Sequence, residues 1–376
     1  MLLIKNKTYM PNQAEKESIA YLIPAFNEGA VIEPTILSLL KITSKDNIYL
    51  VDDGSSDQTL LIAMSYLVNV TTIPNGGKAN AINRGIEIFD LTNKYKYIMP
   101  VDADTLIPEN LAEVVTPIFE SDNNKKIAAV ICKVRGRTTN VLTTFRMWEY
   151  EISQIIHKSA QEITNSIIVC PGCSTVYRSE VFNKIKFPSR TLTEDMDLTF
   201  TIHRKNLGKI AFSHNAEVTT QDPKNLKEYI KQMHRWYTGF WMCVNIHKVP
   251  FGGQMLDAEV AMLAIEGVFN GLLSLFVLIG LPFALLSNPA VFFYPLAFDL
   301  IFFTLPTVIY MVVKYNSPKI FLYIPAFYCL RLFNSIVFFT SFIKATLGAH
   351  SKKDFTWDTA RYTYRKEGKW AIQPLE

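Results

Sequence analysis

Acidic residues occur in closely spaced groups at two points of the chain. Asp102 and Asp104 flank a single alanine, and Glu194 and Asp195 belong to the run Thr193–Asp197. Residues two apart can direct their carboxylates at one point, and hard oxygen ligands suit Mg²⁺ or Mn²⁺ shared with a diphosphate. Asp195 could also act as a general base towards a hydroxyl. An isolated acid-x-acid pair is more often a solvated turn, and acids at a helix start often only stabilise its first turn, so these functions require further converging residues.

Glycine accompanies two other polar segments. Asp52 and Asp53 precede Gly54, and two consecutive glycines precede Lys78 at the predicted start of a helix. An acid just past a buried strand can accept hydrogen bonds from a ribose or a base, and Gly54 lets the backbone turn close to a ligand. Glycines followed by lysine at a helix start favour anion binding, although the spacing is not that of a P-loop. Both segments are therefore candidates for binding a nucleotide.

A glutamine, an arginine and a tryptophan follow in a helix predicted over Leu226–Val244. Arg235 offers a fixed fork of donors for a phosphate, and the adjacent Trp236 offers a flat apolar face for a sugar. A Trp–Arg anchor at a membrane interface is the alternative interpretation.

The segment from Cys170 to Cys173 has the spacing of a redox CxxC motif. A redox motif of this kind is followed by a helix, whereas Ser174–Tyr177 is predicted to be a strand. We therefore expect both thiols to pack in the interior or to line a pocket.

The elements that must position these residues alternate between apolar runs and helical patterns. This rhythm indicates βαβ units and a mostly parallel sheet, in which ligands bind at the carboxyl ends of the strands. The predicted strands are Ile19–Ile23, Ile48–Val51, Val70–Ile73, Tyr97–Val101 and Ile127–Cys132.

Three apolar stretches follow, near residues 260–286, 290–313 and 319–347. Each is long enough for the roughly 20 helical residues that cross a ~30 Å hydrocarbon layer. The tail beyond Lys344 is rich in Lys and Arg, which favours a cytoplasmic location. A tail on the same side as the charge-rich first half of the chain favours two crossings, with the first or the last stretch lying in the membrane interface.

Composition excludes several classes of protein. The 376 residues suggest two or three domains, and 49% hydrophobic residues exclude a disordered chain. Lys and Arg number 38 against 34 Asp and Glu, too balanced for a protein that binds nucleic acid through its backbone charge. Five cysteines argue against a disulfide-stapled module and for a reducing compartment, and residues 1–16 show no apolar run typical of a secretory signal.

Taken in order, these motifs resemble glycosyltransferase family 2. More narrowly, they resemble its membrane branch, which includes the synthases of cellulose, chitin, hyaluronan and poly-β-1,6-N-acetylglucosamine, and ceramide glucosyltransferase. The resemblance covers about residues 19–240. Its motifs are Pro24–Gly29, Asp52–Asp57, Gly77–Asn80, Asp102–Asp104, Gly172–Arg178, Thr193–Asp195 and Gln232–Trp236.

The resemblance implies a GT-A fold and a UDP-linked sugar donor. It places Asp53, Pro24, Glu28 and Lys78 around the uridine. Asp52, which is adjacent to Asp53, is assigned to the same part of the site. It places Asp102 and Asp104 at the diphosphate and at a divalent metal, Mg²⁺ or Mn²⁺.

The remaining motifs would serve chemistry and the acceptor. The resemblance makes Asp195 the base, with Glu194 next to it, and has Gln232, Arg235 and Trp236 close over donor and acceptor. Gly172 and Cys173 belong to the segment beside the acceptor, where two cysteines are unusual. In the tail, Thr359 and Arg361 resemble a loop that closes over UDP in cellulose-synthase-like enzymes.

We therefore expect an α/β GT-A catalytic domain followed by helical membrane segments. The predicted division is an N-terminal extension (1–18), the catalytic domain (19–222), interfacial helices with the Gln232–Trp236 motif (223–256), membrane or interfacial helices (257–347) and a basic tail (348–376) that could gate the site.

The expected function is inverting transfer of a sugar with a β linkage to a polysaccharide or glycolipid at the cytoplasmic face of the cell membrane. Two or three spans can hardly enclose a sugar-wide pore, so either chains or an accessory subunit associate, or the acceptor is a lipid or a short glycan. Single transfer to a polyisoprenyl phosphate or another lipid is the first alternative. A non-catalytic membrane partner that binds nucleotide sugars is the second.

Overall fold

The computed structural model describes residues 18–288 and 290–346, which form two compact units. Within the described range, the first unit contains residues 18–135 and 158–221, and the second contains residues 136–157 and 222–346. Residues 136–157, which fall inside the catalytic domain of the predicted division, thus belong to the second unit.

A seven-stranded sheet with strand order β3-β2-β1-β4-β6-β5-β7 forms the centre of the first unit. Strands β1, β2, β3 and β4 are parallel to their neighbours among these four, and β6 is antiparallel to β4 and β5. The mostly parallel sheet that the sequence predicts is confirmed. The strands are β1 (Ile19–Ala25), β2 (Ile48–Asp52), β3 (Asn69–Thr72), β4 (Tyr97–Pro100), β5 (Ile127–Gly136), β6 (Thr175–Arg178) and β7 (Lys209–Thr220).

Helices cover this sheet and continue into the second unit. A π-helical turn, Ser153–Lys158, lies between α6 and α7, and another, Leu300–Thr304, between α11 and α12. The helices are α1 (Ile32–Leu40), α2 (Thr59–Ser65), α3 (Lys78–Ile88), α4 (Leu91–Lys94), α5 (Leu111–Glu120), α6 (Val141–Ile152), α7 (Ser159–Ile163), α8 (Glu194–Arg204), α9 (Leu226–Ile246), α10 (Met255–Ser287), α11 (Ala290–Asp299), α12 (Leu305–Tyr315) and α13 (Ile324–Thr346).

Strand β1 shows why the predicted strands are apolar on both faces. All seven of its residues are buried. Tyr21 and Ile23 join one hydrophobic core, while Ala20 and Leu22 join a second core on the other face. A strand covered by helices on both sides is expected to be a continuous apolar run, and this explains the pattern in the sequence.

Helix α3 approaches the sheet closely because it contains Gly85. A Cβ atom at this position would lie 2.7 Å from side-chain atoms of Leu22 and of Val51. The glycine therefore lets α3 pack directly against β1 and β2, and this contact fixes the position of Lys78 at the first turn of the helix.

The second unit is helical. Its segments Met255–Phe283, Phe293–Tyr315 and Pro318–Thr346 are each long and apolar enough to cross a membrane. Side chains such as Phe276 and Phe283 are more than two thirds exposed, as expected for a lipid-facing surface. The three apolar helical stretches that the sequence predicts are confirmed, and the expected two crossings with one interfacial stretch stay a prediction.

Candidate active site

The carboxyl ends of β1 and β2 are joined by hydrogen bonds between the segments that follow them. The Asp53 N–H donates to the carbonyl of Ala25 at 2.8 Å, and the Asn27 N–H donates to the Ser55 hydroxyl at 2.9 Å. Next along the chain, the Glu28 N–H donates to the Thr59 hydroxyl at 2.8 Å, and Glu28 is 3% exposed. Pro24 lies in β1 opposite Val51 of β2. The predicted uridine-binding residues of these two segments thus share one sheet edge.

Asp53 organises the turn that leads into α3. Its side chain is fully buried, and its two carboxylate oxygens accept hydrogen bonds from the N–H groups of Gly76 (2.9 Å) and Gly77 (2.8 Å). Burial raises the pKa of Asp53, and the two backbone hydrogen bonds oppose this rise. Gly77 has φ +85°, a conformation that favours glycine. The neighbouring Asp52, 1% exposed, accepts a hydrogen bond from the Ser55 N–H at 3.2 Å.

Lys78 joins two of the acidic segments. Its Nζ lies 2.7 Å from Oδ1 of Asp102 and 3.1 Å from Oε1 of Glu194, which are 24 and 116 residues away in the sequence. Burial opposes the ammonium charge, but ion pairing with Asp102 and Glu194 outweighs it and raises the pKa of Lys78. The lysine that sequence spacing associates with anions is therefore held at the carboxylates in this structure.

Asp102 and Asp104 follow the end of β4. Asp104 is 6% exposed and its Oδ1 accepts a hydrogen bond from the Thr220 hydroxyl at 3.4 Å, whereas the Asp102 side chain keeps 29% of its surface exposed. Among the described residues, no group of three or more His, Cys, Asp or Glu could by itself hold a metal. Magnesium often binds through only one or two carboxylates together with substrate phosphates, so this donor set fits Mg²⁺ or Mn²⁺ bound with a diphosphate.

Asp195 lies in the first turn of α8 with both carboxylate oxygens held by backbone. Its Oδ1 accepts from the Met196 N–H at 2.8 Å and its Oδ2 accepts from the Gly172 N–H at 3.3 Å. Burial and the neighbouring Glu194 raise the pKa of Asp195 to about 6, while Lys78 opposes the rise. A carboxylate with a pKa near the working pH suits a general base.

The segment 170–173 passes directly over this acidic cluster. A Cβ atom at Gly172 would lie 2.9 Å from Nζ of Lys78 and 3.7 Å from Oδ1 of Asp102. Cys173 is 8% exposed, and its charged neighbours include Asp102, Asp104 and Asp195. The three aspartates thus surround one region of the first unit, as the sequence interpretation requires.

The cysteines of this segment are neutral packing residues. Burial raises the pKa of the Cys170 thiol to about 12 and raises that of Cys173 well above its usual value. Thr175–Arg178 forms strand β6, so the helix of a redox motif is absent after Cys173 in the described structure.

Sequence reasoning missed a buried lysine next to Asp195. Lys158 is 6% exposed, and its Nζ donates to the Val169 carbonyl at 2.8 Å. Burial lowers the pKa of Lys158 to about 8, although the nearby Cys170 and Asp195 oppose this change. Its position at the end of a π-helical turn, a feature frequent at functional sites, was not visible in the residue pattern.

The second unit holds Gln232, Arg235 and Trp236 on α9, where all three are partly buried. Trp236 contacts the guanidinium of Arg146, a residue of α6 that the sequence analysis did not select. The tail residues Thr359 and Arg361 lie outside the described residues.

Solved structures of known proteins share this fold. The mannosyltransferase PcManGT from Pyrobaculum calidifontis, solved in complex with GDP-Man and Mn²⁺, is similar with a TM-score of 0.59, over 89% of this chain and 88% of that one. Sequence identity is 14%, so the likeness concerns the fold alone. Together with the sheet topology, it confirms the predicted GT-A class.

The family follows from the sequence. A family model described as "Glycosyltransferase like family 2" matches residues 16–239, more than half of the chain. The chain therefore belongs to glycosyltransferase family 2, and the predicted class of enzyme is confirmed at the level of the family.

Curated relatives include two synthases of bacterial polysaccharides. A hyaluronan synthase from Streptococcus pyogenes is 29% identical over an alignment of 243 residues, and the match covers 59% of this chain and 57% of the relative. A poly-beta-1,6-N-acetyl-D-glucosamine synthase from Staphylococcus epidermidis is 26% identical over an alignment of 265 residues, and the match covers 66% of this chain and 61% of the relative. The chain thus spans less than two thirds of the length of either relative.

Proposed function

We propose that this protein is a membrane-bound, inverting glycosyltransferase that transfers a sugar from a UDP-sugar to a growing polysaccharide or glycolipid, with a β linkage. The observation that carries the proposal is the cluster in which Asp195 lies beside the Lys78–Asp102 ion pair and the segment 170–173. The similarity of the chain to two polysaccharide synthases supports a polysaccharide as the class of product.

The proposed donor site lies at the carboxyl ends of β1, β2 and β4. Asp53 holds the Gly76-Gly77 turn, and with Pro24, Glu28 and Asp52 it forms the uridine side of the site. Lys78 offers an ammonium to the diphosphate, and the partly exposed Asp102 side chain lies next to it. Gln232 and Arg235 are assigned to the donor, and Trp236 to donor and acceptor, by family resemblance.

Asp102 and Asp104 would hold Mg²⁺ or Mn²⁺, because their hard oxygen atoms match these ions. When bound, the cation supplies positive charge that stabilises the diphosphate as it leaves.

Asp195 is the proposed general base. It removes the proton from an acceptor hydroxyl while the hydroxyl oxygen attacks the anomeric carbon of the sugar. The bond between this carbon and the diphosphate oxygen breaks on the opposite side, so the configuration inverts. The two backbone N–H groups that hold the carboxylate fix its direction, and Glu194 helps to keep its pKa near neutrality.

We further propose that the three apolar helices anchor the chain in the cell membrane with the catalytic unit in the cytoplasm, where nucleotide sugars are made available. Its partners are then the donor, a glycan or lipid acceptor, and the bilayer.

The test is the Asp195→Asn variant of the full chain in detergent with Mn²⁺. We expect the transfer rate to fall at least about 100-fold, the lower end of a general base's contribution, while UDP-sugar still binds. An active Asp195→Asn variant would contradict the assignment of the base.

Asp197→Asn is the matched control. Asp197 lies in the same first turn, but it is fully buried and paired with Arg190 at 2.8 Å. We expect this variant to lose stability and to keep its activity per folded molecule. Product analysis in the same assay distinguishes acceptors: a ladder of glycans indicates elongation, and a single labelled lipid indicates one transfer.

A further inference from the structure

A buried arginine in the second unit has no role in the mechanism described above. Arg146 on α6 is 3% exposed. Its Nη1 lies 2.7 Å from Oε2 of Glu149, its Nη2 donates to the Tyr150 hydroxyl at 3.0 Å, and its Nε lies 3.7 Å from Oδ1 of Asp222. Burying a charge is costly unless it is paired and hydrogen-bonded, so the fold retains this cation at the price of a dedicated cluster.

The same guanidinium covers the ring of Trp236. Its Cζ lies 4.8 Å from the ring centroid of Trp236, and it also lies 4.7 Å from that of Tyr150 and 5.7 Å from that of Tyr229. A cation over an indole face is attracted by the ring quadrupole, and the attraction is stronger when water is excluded. One face of the Trp236 ring is thus occupied by Arg146, which limits how the ring can rotate.

The partners of Arg146 are themselves fixed by α13. The Asn334 Nδ2 donates to Oε1 of Glu149 at 2.6 Å, and the Tyr229 hydroxyl donates to Oδ1 of Asn334 at 2.6 Å. Three helices, α6, α9 and α13, therefore meet at a single hydrogen-bonded cluster, which we call the Arg146 cluster: Arg146, Glu149, Tyr150, Asp222, Tyr229 and Asn334.

The other side of the cluster depends on a glycine. The Tyr150 hydroxyl donates to Oδ1 of Asp222 at 3.0 Å, and a Cβ atom at Gly136 would lie only 1.7 Å from Oδ2 of the same carboxylate. Asp222 thus fits its place only because residue 136 has no side chain. Glu149, Tyr150 and Asp222 hold the Arg146 guanidinium from several directions. The guanidinium is therefore a rigid support for the indole of Trp236.

On the basis of the function proposed above, we propose that Arg146 is a positioning residue that fixes the indole of Trp236 for binding the acceptor sugar. An arginine suits this role better than a lysine because its planar group stacks on a ring while its edge donates to carboxylates. The ring face opposite the guanidinium is then the face offered to the sugar.

The experiment compares Arg146→Met and Arg146→Lys with wild type, using the full chain in detergent. We expect the acceptor kcat/KM of Arg146→Met to fall about 10- to 100-fold, because misplacement by about 1 Å can cost 100-fold, and we expect the affinity for UDP-sugar to fall by a smaller factor. Arg146→Lys keeps the charge without the planar group, so its loss should be smaller but measurable. Full acceptor kcat/KM in Arg146→Met would overturn the proposal.

A double-mutant cycle separates positioning from general destabilisation. If Arg146 acts through Trp236, Arg146→Met in a Trp236→Ala background should lower transfer by less than about twofold further, since coupled residues are not additive. Independent, multiplicative losses would contradict the proposal. Arg331→Met is the matched control, because Arg331 also pairs with a carboxylate, that of Asp299, and lies over an aromatic ring, that of Tyr328, and it belongs to none of the motifs of the resemblance. It should keep its kinetics per folded molecule.

A spectroscopic readout keeps this inference separate from the proposed function. In protein labelled with 5-fluorotryptophan, the ¹⁹F signal of Trp236 is assigned among the five tryptophans with Trp236→Phe. We expect Arg146→Met to shift or broaden this signal more than the other four. An unchanged Trp236 signal would refute the positioning role, whereas absence of transfer by wild-type protein would refute only the proposed function.

Discussion

Each unit buries a cation among carboxylates, but the two units differ in how much of the cationic side chain is exposed to solvent. In the first unit, the side chains of Lys78, Asp102 and Glu194 keep 17%, 29% and 19% of their surface exposed. In the second, the Arg146 side chain is 4% exposed and that of Asp222 is 0% exposed, while Glu149, the other carboxylate partner, keeps 25%.

This difference separates a binding site from a support. A partly open cluster can exchange its internal ion pairs for pairs with a ligand. In a closed cluster the cation is enclosed by rings and carboxylates, as Arg146 is, and it holds its neighbours in place. Ion-pair geometry alone would not distinguish the two, since both clusters contain contacts of 2.7 Å.

We call Lys78, Asp102 and Glu194 the open cluster. The largest expected effect tests whether its Asp102, together with Asp104, binds a metal. Asp104→Asn should lower transfer at least about 100-fold, the scale for loss of one group that stabilises transition-state charge. Chelation of divalent cations should abolish wild-type transfer, and added Mn²⁺ should restore it. The measurement is transfer rate against free Mn²⁺ concentration. If chelation leaves the rate unchanged, Asp102 and Asp104 do not hold a metal that transfer requires.

The next effect is the pH dependence of Asp195. Its folded-state pKa, raised to about 6, means that the base loses its proton as pH rises through 6, so transfer should fall about tenfold per pH unit below 6. The check is a profile of kcat/KM against pH, and a flat profile between pH 5 and 7 would contradict the assignment.

The raised pKa of Asp195 also makes the free energy of unfolding depend on pH. This free energy falls as pH rises, whereas the transfer rate increases. Between the unfolded pKa of about 4 and the folded pKa, the folded state binds the proton more tightly, so the free energy of unfolding decreases as pH rises through this window. Asp195→Asn has no carboxyl to ionise at this position, so it avoids the decrease in the free energy of unfolding. The variant should be more stable than wild type at pH 7 by roughly 1 to 3 kcal/mol. Thermal unfolding at pH 4 and pH 7 measures the difference.

The smallest effects come from a matched pair of glycines, one at each cluster. Gly136→Ala forces a Cβ into the carboxylate of Asp222 and should destabilise the protein by about 1 to 3 kcal/mol. Gly172→Ala meets the flexible end of Lys78 at 2.9 Å, which can shift, so its stability should change by less than about 1 kcal/mol while donor affinity weakens several-fold. Denaturant unfolding and donor titration of both variants check the contrast. A Gly136→Ala variant as stable as wild type would show that the closed cluster adapts.

Local sequence was sufficient to predict the sheet because its strands have simple patterns. Strands β1 and β2 are buried on both faces and therefore appear as unbroken apolar runs, and Asp52, directly after the predicted strand Ile48–Val51, is the last residue of β2. Strand β7 did not show this pattern, since the exposed His214 and Asn215 interrupt it and its burial is irregular.

Lys158 and Arg146 could not have been predicted in the same way. A single basic residue in a helical segment is usually solvent-exposed, and nothing in its immediate neighbours shows that it is buried. Several residues that enclose Arg146 lie far away in the sequence: Trp236 is 90 residues from it, and Asn334, which binds its partner Glu149, is 188 residues away. The motifs around Asp102 and Asp195 were found because their acids are adjacent in sequence, whereas these contacts exist only after folding.

Within the described residues, the chain passes from one unit to the other after residues 135, 157 and 221. A soluble fragment that ends near residue 222 would therefore retain α6 without the partners that cover it. Phe145 and Trp148, both buried, would lose Phe327, whose ring lies 5.4 Å and 5.3 Å from theirs, and the Trp148 indole N–H would lose its bond to Thr307. Such a fragment is expected to aggregate, and expression of the catalytic part alone would need residues 136–157 replaced by a short polar linker.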